Sequence, residues 1–166
     1  GKTYNFDPPF EALKNDLQSS DLTIGNFETT VNPNRKFSGY PQFNAPEQTL
    51  ESLKDAGFDT LVTSNNHSLD TGLEGLLSTL SYIRKFGMLP VGTGEIGAPK
   101  HAIYDANGIK IGILAYTYGT NNASSGKKYS NYINLINSEK IKDEIIDIRK
   151  DCDFIIVYLH TGTEYI

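Results

Sequence analysis

The sequence predicts an α/β fold, with mixed β-sheet flanked by helices. Three observations carry this. Apolar residues recur at helical spacing in four segments, and short apolar runs of strand length lie between them. Asn107-Gly108 sits between two such runs and predicts a hairpin, so the sheet cannot be all parallel. No internal repeat or composition break divides the 166 residues, a length that builds one domain with a real core.

Taken in order, Asp7-Pro8-Pro9 reads as a helix start, with Asp7 as N-cap and Phe10, Leu13 and Leu17 as the apolar stripe. A short strand over 21–25 ends at Asn26-Phe27-Glu28. Residues 29–46 hold too many turn formers for a helix. A helix opens at Pro46, buries Leu50 and Leu53, and stops at Gly57. Phe58 to Thr63 is the next strand. Thr71 and Glu74 fit a capping box for a helix running to about Phe86, where Gly87 ends it. Met88 to Val91 is a strand, and the hairpin pairs 101–104 with 109–116. Residues 117–131 read as a polar loop. Ser138 caps a last helix with Ile141, Ile145 and Ile148 inside. Phe154 to Leu159 is a near-continuous apolar strand, read as buried.

Composition narrows the function. Hydrophobic residues make up 38% and charged residues 21%, as in a folded domain rather than a disordered one. The net charge of −5 argues against nucleic acid as a partner, because phosphate binding needs a basic surface. Cys152 is the single cysteine, which excludes an intrachain disulfide and fits either a reducing or an extracellular compartment. No run of 18 apolar residues is present. The chain begins at Gly1 and stops just past an apolar strand, so a single domain excised from a larger protein is expected.

Three strand ends carry ligand-type side chains: Asn26 and Glu28; Asn65, Asn66, His67 and Asp70; and His160 and Glu164. Carboxylate and amide oxygens together with imidazole suit divalent metals. If the three strands are neighbours in one sheet, these groups meet at one edge. Each also has a plainer reading. Asn65 or Asn66 can be a left-handed turn residue, Asp70 a helix cap, Glu28 a solvated charge and His160 a hydrogen-bonded structural histidine. His101 and Cys152 read as structural. Gly92-x-Gly94-x-x-Gly97 matches a dinucleotide loop only on paper, since Pro99 follows and no helical run does. Arg35, Lys36 and Tyr40 in the long loop can grip an anionic ligand, or the loop can simply be pinned by its own aromatics.

The three elements together resemble a known family. Asn26-Phe27-Glu28 resembles its Asn-Leu-Glu element. Ser64-Asn65-Asn66-His67-Ser68-Leu69-Asp70-Thr71-Gly72 resembles its Ala-Asn-Asn-His-x-x-Asp-x-Gly element. His160-Thr161-Gly162-Thr163-Glu164-Tyr165 resembles its His-Trp-Gly-x-Glu-Tyr element. The family is the bacterial capsule synthesis proteins of the CapA, poly-γ-glutamate type, whose domain is similar to calcineurin-like metallophosphatases. The resemblance implies a four-layer αββα sandwich with a dinuclear site of divalent metal (Mn, Fe, Zn or Mg) at strand ends. It places Asn26 or Glu28 at the bridging acidic ligand, Asn66 as an amide ligand, His160 as a further ligand and His67 as proton donor to a leaving oxygen. Asn65, Asp70 and Glu164 would stand around them.

The resemblance further implies an anionic polymer such as poly-γ-glutamate as ligand and membrane capsule-synthesis proteins as partners. It places the domain on the extracellular side, anchored by a segment outside this chain. Departures are visible. The family's opening Gly-Asp and closing Gly-x-His-x-His elements are absent, and Thr161 stands where the family has tryptophan. A full two-metal centre is therefore not expected from these residues alone. Two functions stay open: a metal-dependent phosphoesterase-like hydrolase, and a non-enzymatic polymer-binding or assembly factor on a hydrolase-derived scaffold.

Overall fold

A computed structural model describes residues 4–121 and 123–162. Its strands form two three-stranded sheets, not one. In the first, β1 (Ile24–Asn26), β2 (Thr60–Val62) and β3 (Leu89–Val91) run parallel in the order β1-β2-β3. In the second, β4 (Ala102–Ala106) pairs antiparallel with β5 (Ile109–Thr117), and β5 pairs parallel with β6 (Phe154–His160). The parallel pairs follow from helical crossovers: α2 (Gln48–Ala56) joins β1 to β2, α3 (Gly72–Lys85) joins β2 to β3, and α5 (Ser138–Ile148) lies between β5 and β6.

The period-2 alternation of strands sorts side chains into layers. Val62 and Val91 of the first sheet pack against Ile113 and Ala115 of the second, with Ile24 and Tyr158 alongside. Leu61 points the other way, to Leu50 and Leu53 of α2 and Ile83 of α3. On the far side, Leu114 and Tyr116 meet Ile148, with Ile141 and Ile145 partly buried against them. The result is a helix–sheet–sheet–helix sandwich, α/β with one parallel and one mixed sheet.

Two predicted stops and one hairpin form as expected. Gly57 follows α2 at φ 112°, where a Cβ would lie 2.9 Å from the Gln18 amide. Gly87 ends α3 at φ 74°. Asn107 and Gly108 both take positive φ, 54° and 91°, as a two-residue type I′ hairpin requires.

Other elements differ. The expected first helix is split into a 3-10 turn, Pro8–Phe10, and the short α1 (Lys14–Ser19). Asp7 does not cap; it is itself helical in φ/ψ, and its Oδ1 accepts from Ser52 Oγ at 2.5 Å. Leu13 is consequently exposed. The 117–131 stretch holds a short α4 (Ala123–Lys128) and a 3-10 turn, Ser130–Tyr132. Asn137, not Ser138, caps α5: in extended conformation its side chain accepts from the Lys140 amide at 3.0 Å. β6 is not buried throughout, because it pairs with β5 on one side only among the described residues, leaving Phe154, Val157 and Leu159 exposed.

Candidate functional site

The expected meeting of three strand ends occurs, but between sheets rather than along one edge. Asn26 shares its face with Ile24, and His160 shares its face with Tyr158. Both faces are turned to the opposite sheet. The last residues of β1 and β6 therefore extend the facing layers, and the turn after β2 fills the space between them.

That turn is held from within. Ser68 Oγ accepts from the Asn65 amide at 3.0 Å and lies 2.7 and 2.6 Å from the Thr63 and Asn65 carbonyls. Asn65, fully buried, accepts from the His67 amide through Oδ1 at 3.1 Å. Its Nδ2 donates to Phe27 O at 3.0 Å and Asn26 Oδ1 at 3.2 Å. Asn26 Nδ2 in turn donates to Glu28 Oε2 at 2.9 Å. Asn65 thus ties the first and second motifs together. Among the described residues only Asn107 has positive φ outside glycine, so neither Asn65 nor Asn66 is a left-handed turn residue. Gly92, at φ 97°, gives the turn room: a Cβ there would lie 2.1 Å from Ser64 Oγ.

Asp70 is not a helix cap. Its Oδ2 lies 2.7 Å from His67 Nδ1 and accepts from the Phe43 amide at 2.7 Å. A carboxylate can only accept, so Nδ1 carries the proton and Nε2 is the nitrogen turned towards Glu28. Phe43 packs edge-on against the same imidazole at 4.6 Å, which keeps water from the buried His67–Asp70 pair. The Thr71–Glu74 capping box does not form. Thr71 Oγ1 donates to Thr30 Oγ1 at 2.7 Å, and Glu74 accepts from Asn34 Nδ2 at 2.7 Å. Partners distant in sequence win both groups. That Asn34 contact is also the main reason the Glu74 carboxyl is held below its usual range.

Glu28 stands between the two histidines. Its Oε1 lies 4.0 Å from His67 Nε2 and 3.9 Å from His160 Nε2. Asn66 Oδ1 lies 2.8 Å from His160 Nε2. Tyr118 and Tyr158 stack on the His160 ring at 6.1 and 6.5 Å. Burial, and then the Glu28 charge, push the Tyr158 phenol up. Asn121, a residue the sequence reading missed, closes the group. Its amide donates to Asn66 O at 2.8 Å, its Oδ1 accepts from Asn66 Nδ2 at 3.1 Å, and its Nδ2 lies 3.2 Å from both His67 ring nitrogens. The only signal for it was a fourth polar strand end, after β5.

A divalent ion sets limits on the spacing of its donors. Metal–oxygen and metal–nitrogen distances of about 2.0–2.2 Å cap the separation of two ligands of one ion at about 4.4 Å. The Glu28–His160 and Glu28–His67 separations fall inside that limit and outside hydrogen-bond range. Among the described residues no three His, Cys, Asp or Glu side chains are placed to hold a metal, so amide oxygen must complete any set. Glu28 and His160, with the Asn66 amide oxygen 2.8 Å from His160 Nε2, are donors whose chemistry suits such an ion.

The other expected residues lie apart. Glu164 is outside the described residues. The long loop is pinned by Asn44, which accepts from the Asn32 amide and donates to the carbonyls of Asn32, Arg35 and Lys36. Tyr40 is 77% exposed and packs on Phe43. Of Arg35, Lys36 and Tyr40, only Arg35 lines the cleft beside Asn66 and Asp70. His101 lies in another cleft with Lys100 and Glu144, and Cys152 donates to Ile148 O at 3.2 Å.

The family model described as bacterial capsule synthesis protein PGA_cap matches residues 1–166. The PGA biosynthesis protein CapA of Bacillus subtilis (strain 168) is 27% identical over 96% of this chain and 43% of its own length. The capsule biosynthesis protein CapA of Bacillus anthracis is 27% identical over 98% of this chain and 42% of its own. The chain thus spans less than half the length of these relatives. A candidate 5′-nucleotidase from Staphylococcus aureus, solved in complex with α-ketoglutarate, is similar over 72% of this chain and 24% of its own, with TM-score 0.49 and 14% identity. The match over the whole chain shows that it belongs to the bacterial capsule synthesis protein family PGA_cap.

Proposed function

We propose that this chain is the core of a CapA-type protein acting in capsule or poly-γ-glutamate biosynthesis, and that it carries a metal-dependent, phosphoesterase-like hydrolase site. The observation that supports this most is the convergence of Glu28, Asn66, His67 and His160 between the two sheet ends. Glu28, Asn66 and His160 would hold one divalent cation (Mn, Fe, Zn or Mg). When bound, the cation supplies Lewis-acid polarisation of a phosphoryl or similar oxygen. The contact between His160 Nε2 and Asn66 Oδ1 occupies the same atoms, so loading would replace it.

The chain's own part is proton transfer. Water attacks the phosphorus, the P–O bond to the leaving group breaks, the leaving oxygen takes a proton from His67 Nε2, and the proton shed by the attacking water passes to solvent, from which His67 Nε2 is protonated again. Asp70, hydrogen-bonded to Nδ1, holds the ring and stabilises the imidazolium that makes this donation. In the same reading the domain works outside the membrane, held by a segment not in this chain, alongside membrane capsule-synthesis proteins. A second reading, a non-catalytic polymer-binding factor, is favoured by one observation, the Arg35-lined cleft.

Phosphodiesterase activity and metal content of the full-length protein, with and without His67→Ala, test the proposal. We expect kcat to fall about 10²–10⁴-fold with metal content retained. Equal activity in both proteins removes His67 from its role.

A further inference from the structure

Asn121 is an exposed residue of the stretch that follows β5, and it is fastened to the site by backbone and side chain together. Its amide donates to Asn66 O at 2.8 Å, and its Oδ1 accepts from Asn66 Nδ2 at 3.1 Å. With Oδ1 engaged, Nδ2 is the end turned to His67. Earlier in the same stretch the Tyr118 amide donates to His160 O at 3.0 Å, and the Tyr118 ring stacks on His160 at 6.1 Å. The chain after β5 therefore reaches both of the imidazoles that face Glu28.

The place of Asn121 Nδ2 on the His67 ring is informative. It lies 3.2 Å from Nδ1 and 3.2 Å from Nε2. An atom that close to both nitrogens cannot lie in the plane of the ring, because Cε1 stands between them and would be overlapped. The amide therefore lies over the imidazole face, where an N–H contacts the π cloud. It leaves the in-plane direction of Nε2 unused. Asp70 holds the same ring by its edge, with Oδ2 2.7 Å from Nδ1. A single in-plane hydrogen bond lets a ring rock about the axis of that bond, and a group seated on the face opposes the rocking. Phe43 packs on the ring at an interplanar angle of 64° and adds contact without a directed bond. Edge and face contacts together set where Nε2 points, which is towards Glu28 at 4.0 Å.

The geometry points to Asn121 as a positioning residue that holds the His67 ring at the tilt aiming Nε2 at the reacting position. It sets that tilt relative to Asn66, the amide proposed to ligate the cation. Acid and cation site are thus spaced by one side chain that touches His67 and Asn66 alike. The inference rests on the hydrolase reading for the use of that tilt. The holding of the ring itself needs no turnover.

The test compares the full-length protein as wild type, Asn121→Ala and Asn121→Gln. The readouts are the order parameter of the His67 Cε1–H bond from carbon NMR relaxation without added metal, Mn²⁺ affinity, thermal unfolding, and kcat and KM for bis(p-nitrophenyl) phosphate. We expect Asn121→Ala to lower the order parameter and to reduce kcat about tenfold, with KM and Mn²⁺ affinity held within about twofold. Thermal unfolding should stay close to wild type, because the residue is exposed. Asn121→Gln keeps the amide on a longer stem and should recover part of both losses. An order parameter and kcat equal to wild type in Asn121→Ala overturn the proposal. So does a kcat loss matched by an equal loss of Mn²⁺ affinity with the ring unchanged, which assigns Asn121 to the cation site instead. If the wild type hydrolyses nothing, the hydrolase reading fails by itself. A lowered order parameter in Asn121→Ala then still supports the holding of the ring, and an unchanged one overturns it.

Discussion

The turn after β2 and the end of β6 each bring an imidazole to the same centre, and they are built in opposite ways. His67 sits in a closed network in which Asn65, Ser68, Asp70 and Phe43 leave its surroundings almost without solvent. His160 ends a strand paired on one side only among the described residues; it is bonded to Asn66 and stacked by two tyrosines. The first arrangement fixes ring and tautomer whether or not a ligand is present. The second is more open, with the His160 side chain 18% exposed against 8% for His67, and both rings turn Nε2 towards Glu28. The difference suits a positioned proton donor on one side and an exchangeable ligand on the other.

Substitutions can break that contrast, starting on the closed side. Asn65→Ala removes three hydrogen bonds from a fully buried position and should cost about 3 kcal/mol in urea unfolding. A cost no larger than that of an exposed substitution would show that the turn is not held as described. Gly92→Ala should cost about 2 kcal/mol, from positive φ and the Ser64 clash together, and a neutral result would deny the close approach.

Tyr116→Phe sharpens the picture away from the site, at about 1 kcal/mol for its bond to Glu144 at 2.5 Å. Burial first, then Glu144, hold the Tyr116 phenol well above its ordinary value. A raised folded value means stability is fully present below about pH 10, the unfolded tyrosine value, and is lost as pH climbs above it. Thermal melts of wild type should therefore fall more steeply above pH 10 than those of Tyr116→Phe, and parallel slopes would contradict this. An equally small effect belongs to the open side. His160→Ala should change stability by about 1 kcal/mol, since one partly solvated hydrogen bond and two ring contacts at more than 6 Å are lost. A loss as large as that of Asn65→Ala would erase the contrast.

What the sequence made legible was local. Asn107-Gly108 needs two positive φ angles and little else, and Gly57 and Gly87 stop helices by conformation alone. The Asn65–Asp70 turn announced itself by its density of polar groups after an apolar strand. What stayed hidden depended on partners far along the chain. Thr71 and Glu74 satisfied a capping pattern, but Thr30 and Asn34 took their side chains. Strands β1 and β6 ended in ligand-type residues, yet nothing in them said that they belonged to facing sheets. Asn121 looked like any loop asparagine until the fold set it against His67. Arg35, Lys36 and Tyr40 looked alike as ligand contacts, and of the three only Arg35 lines the cleft beside Asn66 and Asp70.

In the proposed function, Glu28, Asn66 and His160 form a cation site served by His67. Binding of Mn²⁺ to the intact protein, followed by electron paramagnetic resonance, tests it most directly. We expect Glu28→Gln and His160→Ala each to weaken binding about tenfold or more, and His67→Ala, the proposed acid, to leave it within about threefold. Unchanged Mn²⁺ affinity in both Glu28→Gln and His160→Ala would contradict it.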